Sequence, residues 1–258
     1  MLCTTKHLIK FNMNKIIYLL LLILTVSCGI SEDCFKGNGN SVTQTYPFTD
    51  FTKVKVYAGV GLVVKEGPEY EVKIVTSEHI IDDIEVTLQD NMLVVKDNSS
   101  CNLARNYGLT KVYITAPNLE EIHSKTEQNI ESDGVLHYGL LRLFAMGEDG
   151  DGAGTGDYYV NIESAGQVVV ESNMMANFYI SGSAGEMLLN FYFGDGRFYG
   201  GNFEAETIKF YHRGSNDMIV KPMQRIEGQI VATGNVILKN TPPEVEVEEL
   251  YTGHLIYE

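Results

Sequence analysis

The second half of the chain repeats with a period of about 20 residues, which limits the folds open to it more than any other feature. Aromatic and apolar residues recur in one phase at Tyr158 and Tyr159, Phe178 and Tyr179, Phe198 and Tyr199, and Met218 and Ile219. A second strand-like series falls midway between them, at residues 168–170, 187–189, 208–210 and 229–231. One such unit cannot bury its apolar face alone, so successive units must stack to form a core.

Two all-β architectures suit strands this short. Positions 158, 178 and 198 hold aromatic residues, whereas positions 168, 188 and 208 hold aliphatic ones. A meandering antiparallel sheet needs similar residues about every 10 positions, whereas in this chain similar residues recur every 20 positions. We therefore predict an all-β protein, a right-handed β-helix (β-solenoid) with a strand-rich N-terminal region. An antiparallel β-sandwich is the alternative.

The strand-rich N-terminal region contains two predicted hairpins. Alternating apolar residues predict strands at residues 54–57 and 62–64, joined at residues 58–61. The same pattern predicts strands at residues 84–88 and 92–95, joined at residues 89–91. No convincing amphipathic helix is predicted, and residues 77–83 are expected to form one short turn.

The N-terminus is typical of an export signal. Residues 16–26 form an unbroken apolar run that follows Lys15 and ends in small residues before Cys28. A bilayer span needs about 20 residues, so this run is too short for a stable anchor. Residues 24–28 resemble a lipobox, with Thr25 where leucine is usual. We predict a signal peptide at residues 1–27, a lipidated tether or spacer at residues 28–45 that begins at Cys28, and a β-solenoid domain at residues 46–258.

The charge of the chain excludes one class of partner. Lys and Arg number 19 against 34 Asp and Glu, for a net charge of −15, which repels nucleic-acid phosphates. The signal carries three lysines and no acidic residue, so the mature chain is more acidic still. We expect an exported outer-membrane lipoprotein, held to the membrane by its lipid and facing the periplasm or the cell surface. The sequence indicates no oligomeric state.

Two cysteines remain after the signal and the lipid site are set aside. Cys34 and Cys101 form an even pair in an oxidising compartment, so a disulfide between them is one expectation. Two free thiols are the alternative. Neither cysteine has the spacing of a zinc site.

Several short segments, taken in order, resemble the putative auto-transporter adhesin, head GIN domain family. The similar segments are residues 51–62, 91–95, 112–119, 181–185 and 233–253. The resemblance extends from about Tyr46 to Ile256. It implies a β-helical fold and an exported, lipid-anchored or surface role, and it transfers no site residues.

A glycine-rich segment, residues 147–157, is the one candidate metal site. Asp149 and Asp151 have the first two ligand spacings of an EF-hand-like loop, and Asp157 closes the segment. Ala153 and Val160 occupy positions where further ligands would be needed. A solvated glycine-rich turn is the alternative to calcium, and no other cofactor is predicted.

A row of tyrosines is the candidate ligand surface. If Tyr158 points into the core, then Tyr159, Tyr179 and Tyr199 point outward, because successive residues of a strand face opposite sides. Stacked exposed tyrosines suit a sugar or an apolar protein patch. The alternative is that they only stabilise neighbouring turns of the solenoid.

The predicted function is a non-catalytic cell-envelope lipoprotein, an adhesin or a module that binds a glycan or a protein. The sequence lacks the Gly-x-Ser-x-Gly and His-Glu-x-x-His motifs of common hydrolases. One alternative is a polysaccharide lyase or hydrolase, for which the charged residues that could converge are Asp195, Arg197, Arg213 and Asp217. Another is a structural scaffold of the envelope.

Overall fold

The computed structural model describes residues 37–99, 106, 108–147 and 150–258. Within these residues the chain forms 17 strands and one short 3₁₀ helix, Ile81–Asp83. The strands, in chain order, are β1 (Ser41–Tyr46), β2 (Lys53–Tyr57), β3 (Val60–Glu66), β4 (Glu71–Ser77), β5 (Ile84–Gln89), β6 (Met92–Asp97), β7 (Thr110–Ala116), β8 (Glu121–Lys125), β9 (Ile130–Leu136), β10 (Leu140–Ala145), β11 (Tyr158–Ser172), β12 (Phe178–Phe191), β13 (Phe198–His212), β14 (Met218–Ile230), β15 (Val236–Leu238), β16 (Glu244–Glu249) and β17 (Leu255–Tyr257).

The strands form two mainly parallel layers, here called sheet I and sheet II, whose apolar faces share one core. Sheet I has the spatial order β1-β4-β7-β3-β9-β11-β12-β13-β14-β15-β17. Sheet II has the order β5-β6-β2-β8-β10-β11-β12-β13-β14-β16. The long strands β11 to β14 belong to both, because each bends from sheet I into sheet II near its middle. One passage of the chain through both sheets is called a rung.

The predicted β-solenoid is confirmed by the register of the rungs. Tyr158 lies beside Phe178, Phe178 beside Phe198, and Phe198 beside Met218, all in parallel pairing. Like residues therefore stack at the spacing of about 20 seen in the sequence. Parallel pairing throughout the repeat rules out the antiparallel β-sandwich.

The core is built from inward-pointing residues that stack from one rung to the next. The Tyr158 and Phe178 rings stack with centroids 4.7 Å apart, and both residues are fully buried. The Tyr158 hydroxyl donates to the carbonyl oxygen of Phe144 at 2.8 Å, so the buried phenol is satisfied. Each large apolar side chain buried in this way stabilises the fold by roughly 1.5–3 kcal/mol.

The first predicted hairpin is wrong. β2 pairs with β6 and β8 in sheet II, whereas β3 pairs with β7 and β9 in sheet I, so the two strands belong to different sheets. The turn between them, with Gly59 at φ +83°, carries the chain around the edge of the solenoid. Apolar alternation is the same in a hairpin and in a solenoid corner, so the sequence pattern alone did not separate them.

The second predicted hairpin is confirmed. β5 and β6 pair antiparallel, with Gln89 opposite Met92. Asp90 and Asn91 between them have φ of 49° and 62°, as a type I′ turn requires. The short turn expected at residues 77–83 contains the 3₁₀ helix.

The first rung in the chain is not the first in space. The β2–β3 rung lies between the β6–β7 rung and the β8–β9 rung. Antiparallel strands flank this end of the stack, with β4 and β1 on sheet I and β5 on sheet II. Residues 41–45, which the sequence assigned to the spacer, form most of β1.

Some predicted features lie outside the described residues. These are the signal peptide, the lipidation site Cys28, the cysteines Cys34 and Cys101, and Asp149. In the part of the chain that the structure describes, no helix has the length and apolar character needed to cross a bilayer.

Candidate functional site

The three predicted tyrosines form one continuous ladder on the outer face of sheet I. The rings of Tyr159 and Tyr179 have centroids 4.8 Å apart and planes within 1° of parallel. Those of Tyr179 and Tyr199 are 4.6 Å apart and within 5°. The outward orientation predicted from the sequence is confirmed, and Tyr159 is the most exposed of the three at 43%.

The stacking decides which part of each ring a ligand can reach. Parallel rings at this separation overlap face to face with an offset, so both faces of Tyr179 are covered by its neighbours. The ladder therefore presents ring edges and hydroxyls to solvent. It forms a wall instead of a flat platform for a sugar ring.

The hydroxyls of Tyr159 and Tyr179 stay protonated and can donate hydrogen bonds. Partial burial raises the pKa of Tyr159, and the nearby Asp157 carboxylate raises it further. Burial and then Asp157 likewise raise the pKa of Tyr179. A negative charge beside a phenol disfavours its ionised form, so these two phenols remain neutral.

A groove of about 590 Å³ runs beside the ladder, along the axis of the solenoid. The edges of the three tyrosine rings form one wall. The next outward residues of the same strands, Asn161, Ser181 and Asn202, form the other side. The groove reaches from Ser132 on β9 to Ile219 on β14, and the side chain of Lys239 also lines it. Five neighbouring strands about 4.8 Å apart make it about 19 Å long.

The residues on the polar side of this groove were not predicted from the sequence. Asn161 and Ser181 each lie two residues after a ladder tyrosine, but Asn202 lies three residues after Tyr199. Between Tyr199 and Asn202 the β12–β13 register shifts by one residue, which brings Asn202 beside Ser181. Within the described chain, the side chains of Asn161, Ser181 and Asn202 make no hydrogen bond to protein atoms, so they are free to bind a ligand.

Three of the charged residues proposed for an enzyme form hydrogen bonds within the turns of the solenoid. Asp217 Oδ1 accepts from the backbone N–H of Asn235 at 3.1 Å and from its Nδ2 at 3.0 Å. Arg197 donates to Asn216 Oδ1 at 2.9 Å, and Asp195 accepts from the Ser215 hydroxyl. These contacts tie successive rungs together.

Arg213 lies in the same set of turns. Its backbone N–H donates to the Phe191 carbonyl oxygen at 2.8 Å, and its side chain is exposed. No contact joins the Arg213 guanidinium to Asp195 or Asp217 in the described structure. The four charged residues therefore lie in the turns between successive rungs.

The glycine-rich segment packs tightly against the end of β8. A Cβ on Gly154 would lie 2.4 Å from the carbonyl oxygen of Ser124, and one on Gly156 would lie 1.9 Å from that of Gln128. Only glycine permits this close approach, which accounts for the composition without a metal.

The two described aspartates of this segment contact protein groups. Asp151 accepts from the Tyr57 hydroxyl at 2.9 Å and lies 3.8 Å from Lys55 Nζ. Asp157 Oδ1 accepts two hydrogen bonds from Asn177. Among the described residues, no three His, Cys, Asp or Glu side chains are placed to hold a metal ion.

Comparisons with solved structures agree with this fold. A crystal structure of a putative adhesin from Bacteroides fragilis matches with a TM-score of 0.74 at 18% identity, over 86% of this chain and all (100%) of that chain. A putative lipid binding protein from Parabacteroides distasonis matches with a TM-score of 0.60 at 12% identity, over 86% of this chain and 100% of that one. A putative adhesin from Parabacteroides merdae matches with a TM-score of 0.56 at 15% identity, over 86% and 98%. At these identities the similarity shows the fold alone.

Sequence comparison identifies the family. No curated protein matches the chain. The profile of the family described as putative auto-transporter adhesin, head GIN domain, matches residues 50–242, which is most of the chain. This match confirms the resemblance seen in the short sequence motifs. The chain therefore belongs to the putative auto-transporter adhesin, head GIN domain family.

Proposed function

We propose that this protein is an exported, non-catalytic binding module that holds an extended glycan in the groove on sheet I. The observation that carries the proposal is the groove itself, which is continuous over five strands and open along its length. Sugar chains offer alternating apolar C–H surfaces and hydroxyls. The groove offers apolar tyrosine edges on one side and free amide and hydroxyl groups on the other.

The family and the shape of the chain support this role. The family description and two of the structural relatives name adhesins. A stack of parallel rungs is stiff and presents one long surface, which suits an elongated ligand. A glycan is favoured over a protein partner because a narrow groove with small polar residues suits a thin chain.

An enzyme on the same scaffold has less support. Glycoside hydrolysis needs a pair of carboxyl groups that flank the scissile bond. Asp195 and Asp217, the acids proposed for this role, are hydrogen-bonded within the turns. Shortened sugar products from the purified protein would favour the enzyme, and a protein that binds no glycan would favour the scaffold.

A matched pair of variants tests the groove. Ser181 and Ser183 lie on the same strand and point to the same side, but only Ser181 lines the groove. The probe is the mature chain with Cys28→Ser, here called the soluble mature chain, applied to a glycan array. We expect the parent protein to bind a glycan saturably. Ser181→Phe should abolish this binding, whereas the Ser183→Phe variant should still bind. Equal binding by both variants, or no binding by the parent, would contradict the proposal.

The lipid anchor at Cys28 is part of the proposal. One acyl-modified cysteine would tether an acidic domain to the outer membrane, facing the periplasm or the cell surface. Membrane fractionation of cells that express the full chain tests it. We expect Cys28→Ala to lose the membrane-bound pool and Cys34→Ala, six residues downstream, to keep it. Retention of Cys28→Ala in the membrane fraction would rule out this anchor.

A further inference from the structure

A second concavity lies on the outer face of sheet II, on the other side of the core from the groove. It has a volume of about 360 Å³ and is more enclosed than the groove. The outward side chains of neighbouring strands form it. Those used below are Lys55, His123, Lys125, Phe144, Glu171 and Tyr192.

Lys125 is the unusual member of this cavity. Its residue surface is only 6% exposed, because the glycine-rich segment covers it, and a Cβ on Gly152 would lie 3.2 Å from the lysine Cβ. Its Nζ donates to the Met146 carbonyl oxygen at 2.7 Å. Within the described residues, no carboxylate lies within ion-pair distance of this ammonium.

A buried ammonium without a negative partner is costly, and one neutral carbonyl does not balance it. An ammonium has three N–H donors, and the bond to Met146 uses one. Lys125 also lines the cavity, so the remaining donors are available to a bound anion. This arrangement is what a site for a negatively charged group requires.

The rest of the cavity limits what that anion is. Lys55 adds a second ammonium, and the carboxylate of Asp151, which also lines the cavity, lies 3.8 Å from it. Across the cavity, Glu171 accepts from the Tyr192 hydroxyl at 2.6 Å and retains further acceptor positions. The rings of His123 and Phe144 stack 4.4 Å apart between these groups. The cavity therefore has one side with two ammoniums and one carboxylate, an opposite side that accepts hydrogen bonds, and an apolar base.

We propose that this cavity binds a small hydroxylated carboxylate, of the size and chemistry of a single uronic acid. The carboxylate would contact the ammoniums of Lys125 and Lys55, and hydroxyls would donate to Glu171. The apolar face of the sugar would lie against Phe144 and Tyr192. The volume falls within the range of about 300–1,000 Å³ that is usual for small-molecule sites. The site is separate from the groove on sheet I, and it does not depend on the glycan proposal.

Calorimetric titration of the soluble mature chain with glucuronate, galacturonate and glucose tests this site. Glucose has the same ring as glucuronate without the carboxylate. We expect saturable binding of at least one uronate and at least tenfold weaker binding of glucose. Lys125→Met should weaken uronate binding at least tenfold, whereas Lys111→Met, a lysine on sheet I, should not change it. Ser181→Phe blocks the groove and should also leave it unchanged.

Thermal unfolding separates a binding role from a structural one. Methionine fills the space of the lysine stem without a charge, so Lys125→Met should unfold at the same temperature or higher. If Lys125 only braces the loop through Met146, the variant should unfold at a lower temperature and the parent should bind no uronate. Absence of uronate binding by the parent, or equal binding by Lys125→Met, would overturn the proposal.

Discussion

Asn177 donates two hydrogen bonds to a single oxygen of Asp157, one from its backbone N–H and one from Nδ2, each at 3.0 Å. The same arrangement joins Asn235 to Asp217 three rungs further along. Both pairs stand immediately before a sheet I strand. They fix the point where the chain re-enters the sheet, and so they help to set the register on which the tyrosine ladder depends.

The Asp157–Asn177 contact should contribute measurably to stability. Asp157→Ala leaves two donors without their acceptor, so we expect a loss of about 1–2 kcal/mol in the free energy of unfolding. Asp157→Asn keeps an oxygen at the same place and should lose less. Urea unfolding measures both, with Asp133→Ala as the control, because Asp133 forms only an exposed ion pair with Lys65. Equal losses for Asp133→Ala and Asp157→Ala would contradict this account.

Calcium should not stabilise the protein. The Asp157 and Asp151 carboxylates already contact Asn177, Tyr57 and Lys55. Thermal unfolding with calcium chloride and with a chelator should give the same midpoint. A higher midpoint with calcium that Asp151→Asn abolishes would instead show a metal site in the glycine-rich segment.

The repeat was predictable because stacking imposes it on the sequence. Tyr158, Phe178 and Phe198 occupy equivalent positions on successive rungs, so their spacing is visible without a structure. The placement of β2 in sheet II and β3 in sheet I could not be predicted from the sequence. A strand of alternating apolar and polar residues has the same pattern whichever neighbour it pairs with. The position of Asn202 in the groove depends on a register shift that no spacing rule reports.

The cavity around Lys125 was not visible either, and the reason is long-range packing. Lys125 has an outward position at the end of β8, where a lysine is ordinarily solvated. The glycine-rich segment, more than 20 residues further along, covers it. A charged residue can thus become buried through a contact that local sequence does not indicate.

Stability should fall between about pH 6.5 and pH 4 because of His212. This side chain has 0% exposure, and burial lowers its pKa to about 4. The unfolded chain binds this proton near pH 6.5, whereas the folded chain resists it until about pH 4. Lowering the pH through this interval therefore favours unfolding, by on the order of 3 kcal/mol in total.

A variant isolates the contribution of His212. Burial also lowers the pKa of His123, so both histidines act in the same direction. His212→Leu suits a position that stacks between Phe191 and Ile230, and it removes one of the two titrations. We expect a flatter dependence of the urea midpoint on pH for this variant. An unchanged dependence would show that His212 does not titrate as described.

The middle tyrosine of the ladder should matter most to the fold. Tyr179 stacks on two rings, whereas Tyr159 stacks on one. Each aromatic pair is worth about 0.5–1.5 kcal/mol, so Tyr179→Leu should cost roughly twice as much as Tyr159→Leu. Chemical unfolding of the two variants measures this ratio. Equal costs would indicate that the rings do not stabilise one another.

The most direct test of the central claim is how binding depends on the length of the glycan. The groove beside the ladder is about 19 Å long, so successive sugars should each add contacts until it is full. Calorimetric titration of the soluble mature chain with a size series of the glycan selected on the array measures this. We predict that affinity rises with length and then levels off, and that Ser181→Phe removes the rise. A single sugar that binds as tightly as the longest oligomer would contradict an extended groove site.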